Sequence, residues 1–230
     1  GTIFVGDGIV VRDRLAAAWE RASRSTTSVT LIVVTKGSGS AAARAAIAAG
    51  VRDIGENRLQ EAEAKREALG ETPGVAWHLI GHLQSNKVRL AAGKFALIQT
   101  VDSLHVAEAI ARLAPTQPVL VEVNVARETQ KSGVYPSAAP ELIEQVAGLL
   151  DLQGLMAMGP SHRDPRPAFD DLRILRDDAE QRLGRKLPVL SMGMSVDFEA
   201  ALAAGSTMLR LGQALFGPRA TRALSSSNEC

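Results

Sequence analysis

The chain has 230 residues, and its 26 Lys and Arg nearly cancel its 25 Asp and Glu, leaving a formal net charge of +1. Only 3% of its residues are aromatic, so it lacks both a basic surface for phosphate backbones and rings that stack on bases, and nucleic acid is excluded as an expected partner. With 46% hydrophobic and 22% charged residues, the composition is that of a globular domain and excludes a disordered chain.

Cysteine content and apolar run lengths bear on the compartment. The single cysteine, Cys230, cannot form an intrachain disulfide or a cysteine-based metal site, which favours a reducing environment. The aliphatic runs fall far short of the roughly 20 residues of a membrane helix, and the N-terminus lacks a basic segment followed by an apolar one. We therefore expect a cytoplasmic protein with no membrane partner, and a monomer.

The first predicted element in chain order is an amphipathic helix, which carries an apolar stripe that includes Val11, Leu15 and Trp19. Short runs of branched apolar residues, bounded by turn residues, follow it and are predicted as strands. The eight runs are 30–36, 51–57, 76–82, 95–102, 119–125, 152–159, 188–195 and 206–212.

Helical periodicity fills the segments between these strands. Three of the helical segments end in Ala-Ala-Gly, at 48–50, 91–93 and 203–205, where glycine can close a helix in the left-handed conformation. Eight alternating units imply parallel strands with right-handed crossovers, and favour a closed (β/α)8 TIM barrel over an open doubly wound sheet. The expected architecture is thus an α/β barrel with an extra N-terminal helix, one domain over residues 1–230, with 219–230 as a frayed tail.

Lys36 is the first candidate for chemistry, because reactive groups of parallel barrels sit at the carboxyl ends of the strands. It follows the apolar run 31–35, where an ammonium group would lose part of its hydration. A lysine in that setting can act as a Schiff-base nucleophile. The alternative is an ordinary lysine that extends into solvent at a strand end.

The last two strands suggest an anion site. Ser195 can cap a helix that starts near Asp197, and Gly212 leads into a turn with free backbone N–H groups. Arg210 lies two residues before Gly212 and so shares its side of the strand, facing the barrel mouth. The alternatives are a simple N-cap, a simple turn, and an arginine paired with Glu122. Together, however, a lysine, an anion site and an arginine meet the needs of pyridoxal 5′-phosphate (PLP).

Two histidines four residues apart, His78 and His82, are not expected to hold a metal. That spacing suits zinc on a helix, whereas this segment reads as a strand and would separate the rings by roughly 13 Å. No metal site and no catalytic residue are predicted elsewhere. A third hypothesis, that Lys36 serves a Schiff-base aldolase acting on a sugar phosphate without PLP, stays open on the residues alone.

Several stretches together resemble the pyridoxal phosphate homeostasis protein family, a single-domain relative of the alanine racemase barrel. They are VVTK (33–36), GENRLQEA (55–62), WHLIGHLQSNK (77–87), VDS (101–103), VEVNVARETQKSGV (121–134), GLMAMGP (154–160), LSMGMSVDFEAAL (190–202) and STMLRLGQALFG (206–217). The resemblance runs from about residue 10 to 219, and WHLIGHLQSNK with LSMGMS is highly specific.

The resemblance implies a PLP-binding barrel that takes part in vitamin B6 and amino-acid homeostasis and buffers PLP or delivers it to PLP-dependent apoenzymes. It implies an internal aldimine at Lys36, a phosphate held by Ser195 and the backbone around Gly212 and Gln213, and Arg210 facing the pyridine nitrogen. Asn57 lies in a matching motif and is also expected at the cofactor, as are His82 and Ser85 near the pocket, without an assigned role.

Two departures from the family pattern stand out. The run GSGS at 37–40 replaces a Thr-Lys-Pro-like segment, and Gln213 stands where a small hydroxyl residue is usual. The racemases that share the barrel take a second acid/base group, a tyrosine, from another domain. We expect this chain to lack that domain, and its only tyrosine is Tyr135. We therefore expect a binding protein that is not an enzyme, the alternative being a PLP-dependent racemase or lyase of low activity.

Overall fold

The computed structural model describes residues 29–48 and 50–212. The predicted N-terminal helix, Gln213, the predicted tail and Cys230 lie outside the described residues, so those expectations stay predictions.

A closed barrel of eight parallel strands in sequential order forms the centre of the fold, which confirms the predicted (β/α)8 architecture. The strands are β1 (Thr30–Val34), β2 (Asp53–Glu56), β3 (Ala76–Leu79), β4 (Leu97–Val101), β5 (Pro118–Glu122), β6 (Asp151–Met156), β7 (Val189–Ser191) and β8 (Met208–Leu211). Six of the strands lie within the predicted apolar runs, and β5 and β6 begin one residue before theirs. This agreement arises because a strand buried on both faces needs a continuous apolar stretch.

Helices surround the barrel. They are α1 (Ser40–Ala48), α2 (Leu59–Leu69), α3 (Leu104–Leu113), α4 (Ala139–Leu149), α5 (Arg166–Leu183) and α6 (Phe198–Ala204). The connection between β3 and β4 instead carries a 3₁₀ helix over Ser85–Leu90. Gly50, Gly93 and Gly205 all have positive φ, as the Ala-Ala-Gly joints predict. No helix of the described segments is long and apolar enough to cross a membrane.

The barrel closes where β8 pairs with β1, in a register that places Arg210 beside Ile32 and Leu211 beside Val33. Because the strands are parallel, their carboxyl ends open on one side, which we call the mouth. Lys36 and Gly212 lie just beyond these two neighbouring strand ends. The topology thus brings two predicted site residues, 176 positions apart in sequence, to one edge of the mouth.

Side chains that alternate along the strands divide the core into two layers. The larger layer lies between the strands and the surrounding helices. A smaller apolar cluster fills the barrel interior and consists of Ile32, Leu97, Leu120, Met156 and Met208. Buried polar side chains also lie on the interior side of the strands: His78, Gln99, Glu122, Ser191 and Arg210.

Candidate functional site

Lys36 lies two residues beyond the end of β1 and is half-buried at the mouth. Ile32 of β1 belongs to the interior cluster, and Lys36 lies in the turn that follows this strand. Gly212 is what allows β8 to end this close to β1, because a Cβ there would lie 2.9 Å from the carbonyl oxygen of Val34. The lysine and the glycine therefore share a single corner of the mouth.

Arg210 is a buried cation next to that corner, with 5% of its surface exposed. Its Nη1 donates to Ser191 Oγ at 2.6 Å and its Nη2 donates to the carbonyl oxygen of Ala157 at 2.9 Å. Burial lowers the pKa of Arg210 to about 10, opposed by the nearby charges of Glu122 and Asp197. The guanidinium therefore stays charged at neutral pH. The carboxylate of Glu122 acts on it through space, while neutral oxygens accept these two hydrogen bonds.

A charged cluster holds the Lys36 segment from outside the barrel. The buried amine of Lys65, on α2, donates to Glu56 Oε1 at 2.6 Å and to the carbonyl oxygen of Thr35 at 2.6 Å. The Thr35 hydroxyl also donates to Glu56, and Lys65 lies 3.1 Å from Glu61 Oε1, which accepts from the Gly37 N–H at 2.6 Å. The residues on both sides of Lys36 are thereby fixed.

The Glu56 carboxyl in this cluster carries an electrostatic cost. Burial raises its pKa, partly offset by the hydrogen bonds from Lys65 and Thr35. Its second oxygen, Oε2, has no hydrogen-bond partner among the described residues. The Lys65–Glu56 pair therefore holds the Lys36 segment in place, while both charged groups lose their hydration, as in buried ion pairs generally.

Ser195 follows β7 at the mouth and is half-buried. The predicted capping role is wrong, because α6 begins at Phe198 and its N-cap is Asp197. The Asp197 carboxylate accepts instead from the Met194 N–H at 2.6 Å, and burial raises the pKa of this carboxyl. Ser195 thus precedes the helix by three residues and lies in the loop between β7 and α6.

Asn57 follows β2 on the interior side, in line with Asp53 and Gly55. Its Oδ1 is buried and has no hydrogen-bond partner in the described part of the chain. Glu122, at the end of β5, has an equally unpaired Oε2, and burial raises its pKa. Since buried polar atoms are normally paired, these two acceptors mark the mouth as a place for a polar ligand.

The two histidines have separate partners. His78 lies inside the barrel with Nε2 3.0 Å from Asp53 Oδ1, whereas the exposed His82 has Nδ1 3.2 Å from Asp102 Oδ2. Across residues 29–48 and 50–212 no group of three or more His, Cys, Asp or Glu side chains is arranged to hold a metal ion. Ser85, at the start of the 3₁₀ helix, is exposed.

Sequence reasoning missed the residues that hold Arg210 and the Lys36 segment in place. Gln99 and Ser191 lie on the interior side of β4 and β7, and Lys65 faces the barrel from α2. A polar residue in the middle of an apolar strand was the available signal for Gln99, in the run LIQTV. The contacts of Lys65 depend on how α2 packs, which no local pattern reveals.

Comparison with known proteins gives consistent results. The model of the family "Alanine racemase, N-terminal domain" matches residues 10–220. The pyridoxal phosphate homeostasis protein of Aquifex aeolicus is 40% identical over 218 residues, which cover 91% of this chain and 95% of that protein. The structure of PipY from Synechococcus elongatus with PLP bound is similar, with a TM-score of 0.77 and 36% identity over 89% of this chain and 99% of that one.

A more distant structure supports the fold alone. An alanine racemase from Clostridium difficile, in complex with cycloserine, has a TM-score of 0.70 at 16% identity; the match covers 90% of this chain and 59% of the racemase. The identity to full-length relatives and the family match over residues 10–220 together show that the chain belongs to the pyridoxal phosphate homeostasis protein family.

Proposed function

We propose that this chain binds PLP through Lys36 and holds it for buffering or delivery to PLP-dependent apoenzymes, without turning over a substrate of its own. The observation that carries the proposal is the placement of Lys36 and the buried, charged Arg210 at the ends of two paired strands. Membership of the family and the PLP-bound structure of PipY support it.

The residues at the mouth fit the chemical groups of PLP. When bound, PLP supplies an aldehyde that condenses with a lysine amine to a Schiff base, with loss of one water. Lys36 would provide the amine, and Ser195 with the backbone around Gly212 and Gln213 would hold the phosphate. Arg210 would face the ring nitrogen, and Asn57 offers the buried, unpaired Oδ1 described above.

Arg210 favours holding the cofactor over chemistry on it. A permanent cation beside the pyridine nitrogen disfavours protonation of that nitrogen, which weakens the ring as an electron sink. Racemisation also needs two acid/base groups on opposite faces of the substrate. Tyr135, the only tyrosine of the sequence, is 45% exposed in the connection after β5. These features support a binding protein.

An absorption titration with PLP tests the proposal. We expect the purified chain to develop a Schiff-base band that sodium borohydride fixes covalently, and Lys36→Ala to lose it. Lys94→Ala is the matched control, because Lys94 is an exposed lysine before β4 and should leave the band unchanged. A Schiff-base band in Lys36→Ala as strong as that of the wild type would show that Lys36 does not bind PLP.

A second measurement separates holding from turnover. We expect no exchange of the α-hydrogen when a panel of amino acids is incubated with the PLP-loaded protein in deuterated water. Exchange would overturn the non-catalytic assignment in favour of a racemase or lyase. A colourless protein that traps a sugar phosphate under borohydride would instead indicate an aldolase.

A further inference from the structure

A line of hydrogen-bonded polar side chains crosses the barrel interior from Arg210 to Asp53. Arg210 Nη1 lies 2.6 Å from Ser191 Oγ, which lies 2.6 Å from Gln99 Oε1. Gln99 Nε2 lies 3.3 Å from His78 Nδ1, and His78 Nε2 lies 3.0 Å from Asp53 Oδ1. We call these five side chains the relay. Its residues lie on β8, β7, β4, β3 and β2 in that order, so the relay runs from the mouth to the opposite end of the barrel.

The relay has one consistent hydrogen-bond direction, fixed by Arg210, which can only donate. Ser191 Oγ accepts from Arg210, so its own O–H is left to donate to Gln99 Oε1. The Gln99 amide then presents its N–H to His78, whose Nδ1 must accept. The single N–H proton of a neutral His78 ring therefore lies on Nε2 and is directed at the Asp53 carboxylate. Each hydrogen bond of the relay thus sets the donor and acceptor roles in the next one.

The composition of the relay is unusual for its location. Interiors of barrels of this kind are filled mainly by Val, Ile and Leu, and a buried polar group that is left without a partner lowers stability. Here the relay runs beside the apolar interior cluster, and Gln99 Nε2 also approaches Met208 Sδ at 3.3 Å. An all-apolar interior would avoid that risk, which indicates that the polar line serves Arg210, the buried charged group at its mouth end.

We propose that Ser191, Gln99 and His78 are positioning residues that orient the Arg210 guanidinium for its ligand at the mouth. The guanidinium is planar, so the two bonds from Nη1 and Nη2 fix its whole orientation. Gln99 Oε1 accepts the hydrogen bond from the Ser191 hydroxyl and so holds that hydroxyl with its lone pairs toward Arg210. His78 in turn sets which way the Gln99 amide faces, and Asp53, whose side chain is 28% exposed, sets the tautomer of His78.

This inference rests on the proposed function, because it concerns how Arg210 meets PLP. Its test is a double-mutant cycle on PLP affinity with Ser191→Ala, Gln99→Leu and the double variant. We expect each single variant to weaken PLP binding about fivefold to tenfold. The double variant should bind no more weakly than Ser191→Ala, because the effect of Gln99 passes through Ser191. Additive losses would overturn the relay, since a general loss of packing adds.

Thr100→Val is the matched control. Thr100 follows Gln99 on β4 and is equally buried, but it faces away from the interior, and its hydroxyl donates to the Gly81 carbonyl at 2.8 Å. It should leave PLP affinity within about twofold of the wild-type value. A loss equal to that of Gln99→Leu would show that any disturbance of β4 suffices, and would overturn the relay.

Arg210→Met distinguishes the failure of this inference from that of the proposed function. If Arg210→Met leaves PLP affinity and the Schiff-base band unchanged, the placement of Arg210 at PLP is wrong. If it weakens binding while Ser191→Ala and Gln99→Leu do not, the relay alone is wrong.

A measurement on the unaltered, PLP-free protein covers the case in which Gln99→Leu does not fold. Nitrogen-15 chemical shifts of labelled histidine should place the His78 proton on Nε2, with Nδ1 as acceptor. A proton on Nδ1 would overturn the direction of the relay.

Discussion

The two sides of the mouth are held by different kinds of chemistry. On the Lys36 side, a charged cluster outside the barrel forms hydrogen bonds with the backbone on both sides of the lysine. The cluster consists of Lys65, Glu56 and Glu61. On the Arg210 side, a hydroxyl and a backbone carbonyl inside the barrel accept hydrogen bonds from the guanidinium itself. Opposite charges therefore pair directly beside Lys36, whereas at Arg210 neutral oxygens accept the two hydrogen bonds and the charges of Glu122 and Asp197 act without these contacts.

The outer cluster should produce the largest loss of stability. Lys65→Met leaves the buried Glu56 carboxyl without its cation, which we expect to lower the free energy of unfolding by about 3–5 kcal/mol. Urea unfolding of the PLP-free protein measures it. The double variant Glu56→Gln/Lys65→Met removes both charges and should recover most of the loss; a double variant as unstable as Lys65→Met would show that the ion pair is not what matters.

The contact between the two sides gives the next largest effect. Gly212→Ala places a methyl group 2.9 Å from the Val34 carbonyl oxygen, so β8 must move from β1, at a cost of about 1–3 kcal/mol. PLP affinity should fall as well, because Lys36 and Arg210 are separated. Gly148→Ala is the control: it lies in α4, nothing is within 4 Å of the new methyl group, and the helix should gain slightly. Unchanged stability and affinity in Gly212→Ala would contradict the close approach.

The inner side should respond more weakly in stability than in binding. Ser191→Ala removes one neutral acceptor, and we expect about 1 kcal/mol in the free energy of unfolding. Denaturant unfolding of the apo protein, compared with that of Lys65→Met, checks the ranking. A loss as large as that of Lys65→Met would mean that the inner side carries the stability of the barrel and would reverse the comparison.

The smallest expected effect is a change in how stability depends on pH. The pKa of Glu56 is raised by burial, so this carboxyl binds a proton more readily in the folded state than in the unfolded one. Its contribution is present below the ordinary value of 4.5 and is lost as pH rises through the folded pKa. Glu56→Gln should therefore reduce the fall of the unfolding free energy with pH above pH 4.5, by at most the slope that one titrating proton gives. Ser191→Ala should keep the wild-type dependence on pH.

The sequence allows the barrel and both ends of the candidate site to be predicted, because strands buried on both faces are apolar runs and site residues follow them. Lys36 and Arg210 are proposed as site residues in this way. The supports of these two residues are not predictable from local pattern. Gln99 and Ser191 meet across the barrel from positions 92 residues apart, and Lys65 reaches Thr35 from 30 residues away.

The error at Ser195 has a local cause. Ser195 and Asp197 are both good N-cap residue types two positions apart, and only the observed start of α6 at Phe198 decides between them. The helix starts at Phe198, one residue after the predicted position near Asp197, and Ser195 is a loop residue at the mouth and not the cap.

The most direct test of the central claim is peptide mass mapping of the protein after loading with an equimolar amount of PLP and reduction with borohydride. We expect a single pyridoxyl adduct, located on Lys36. An adduct found mainly on another lysine, such as Lys65 or Lys94, would contradict it.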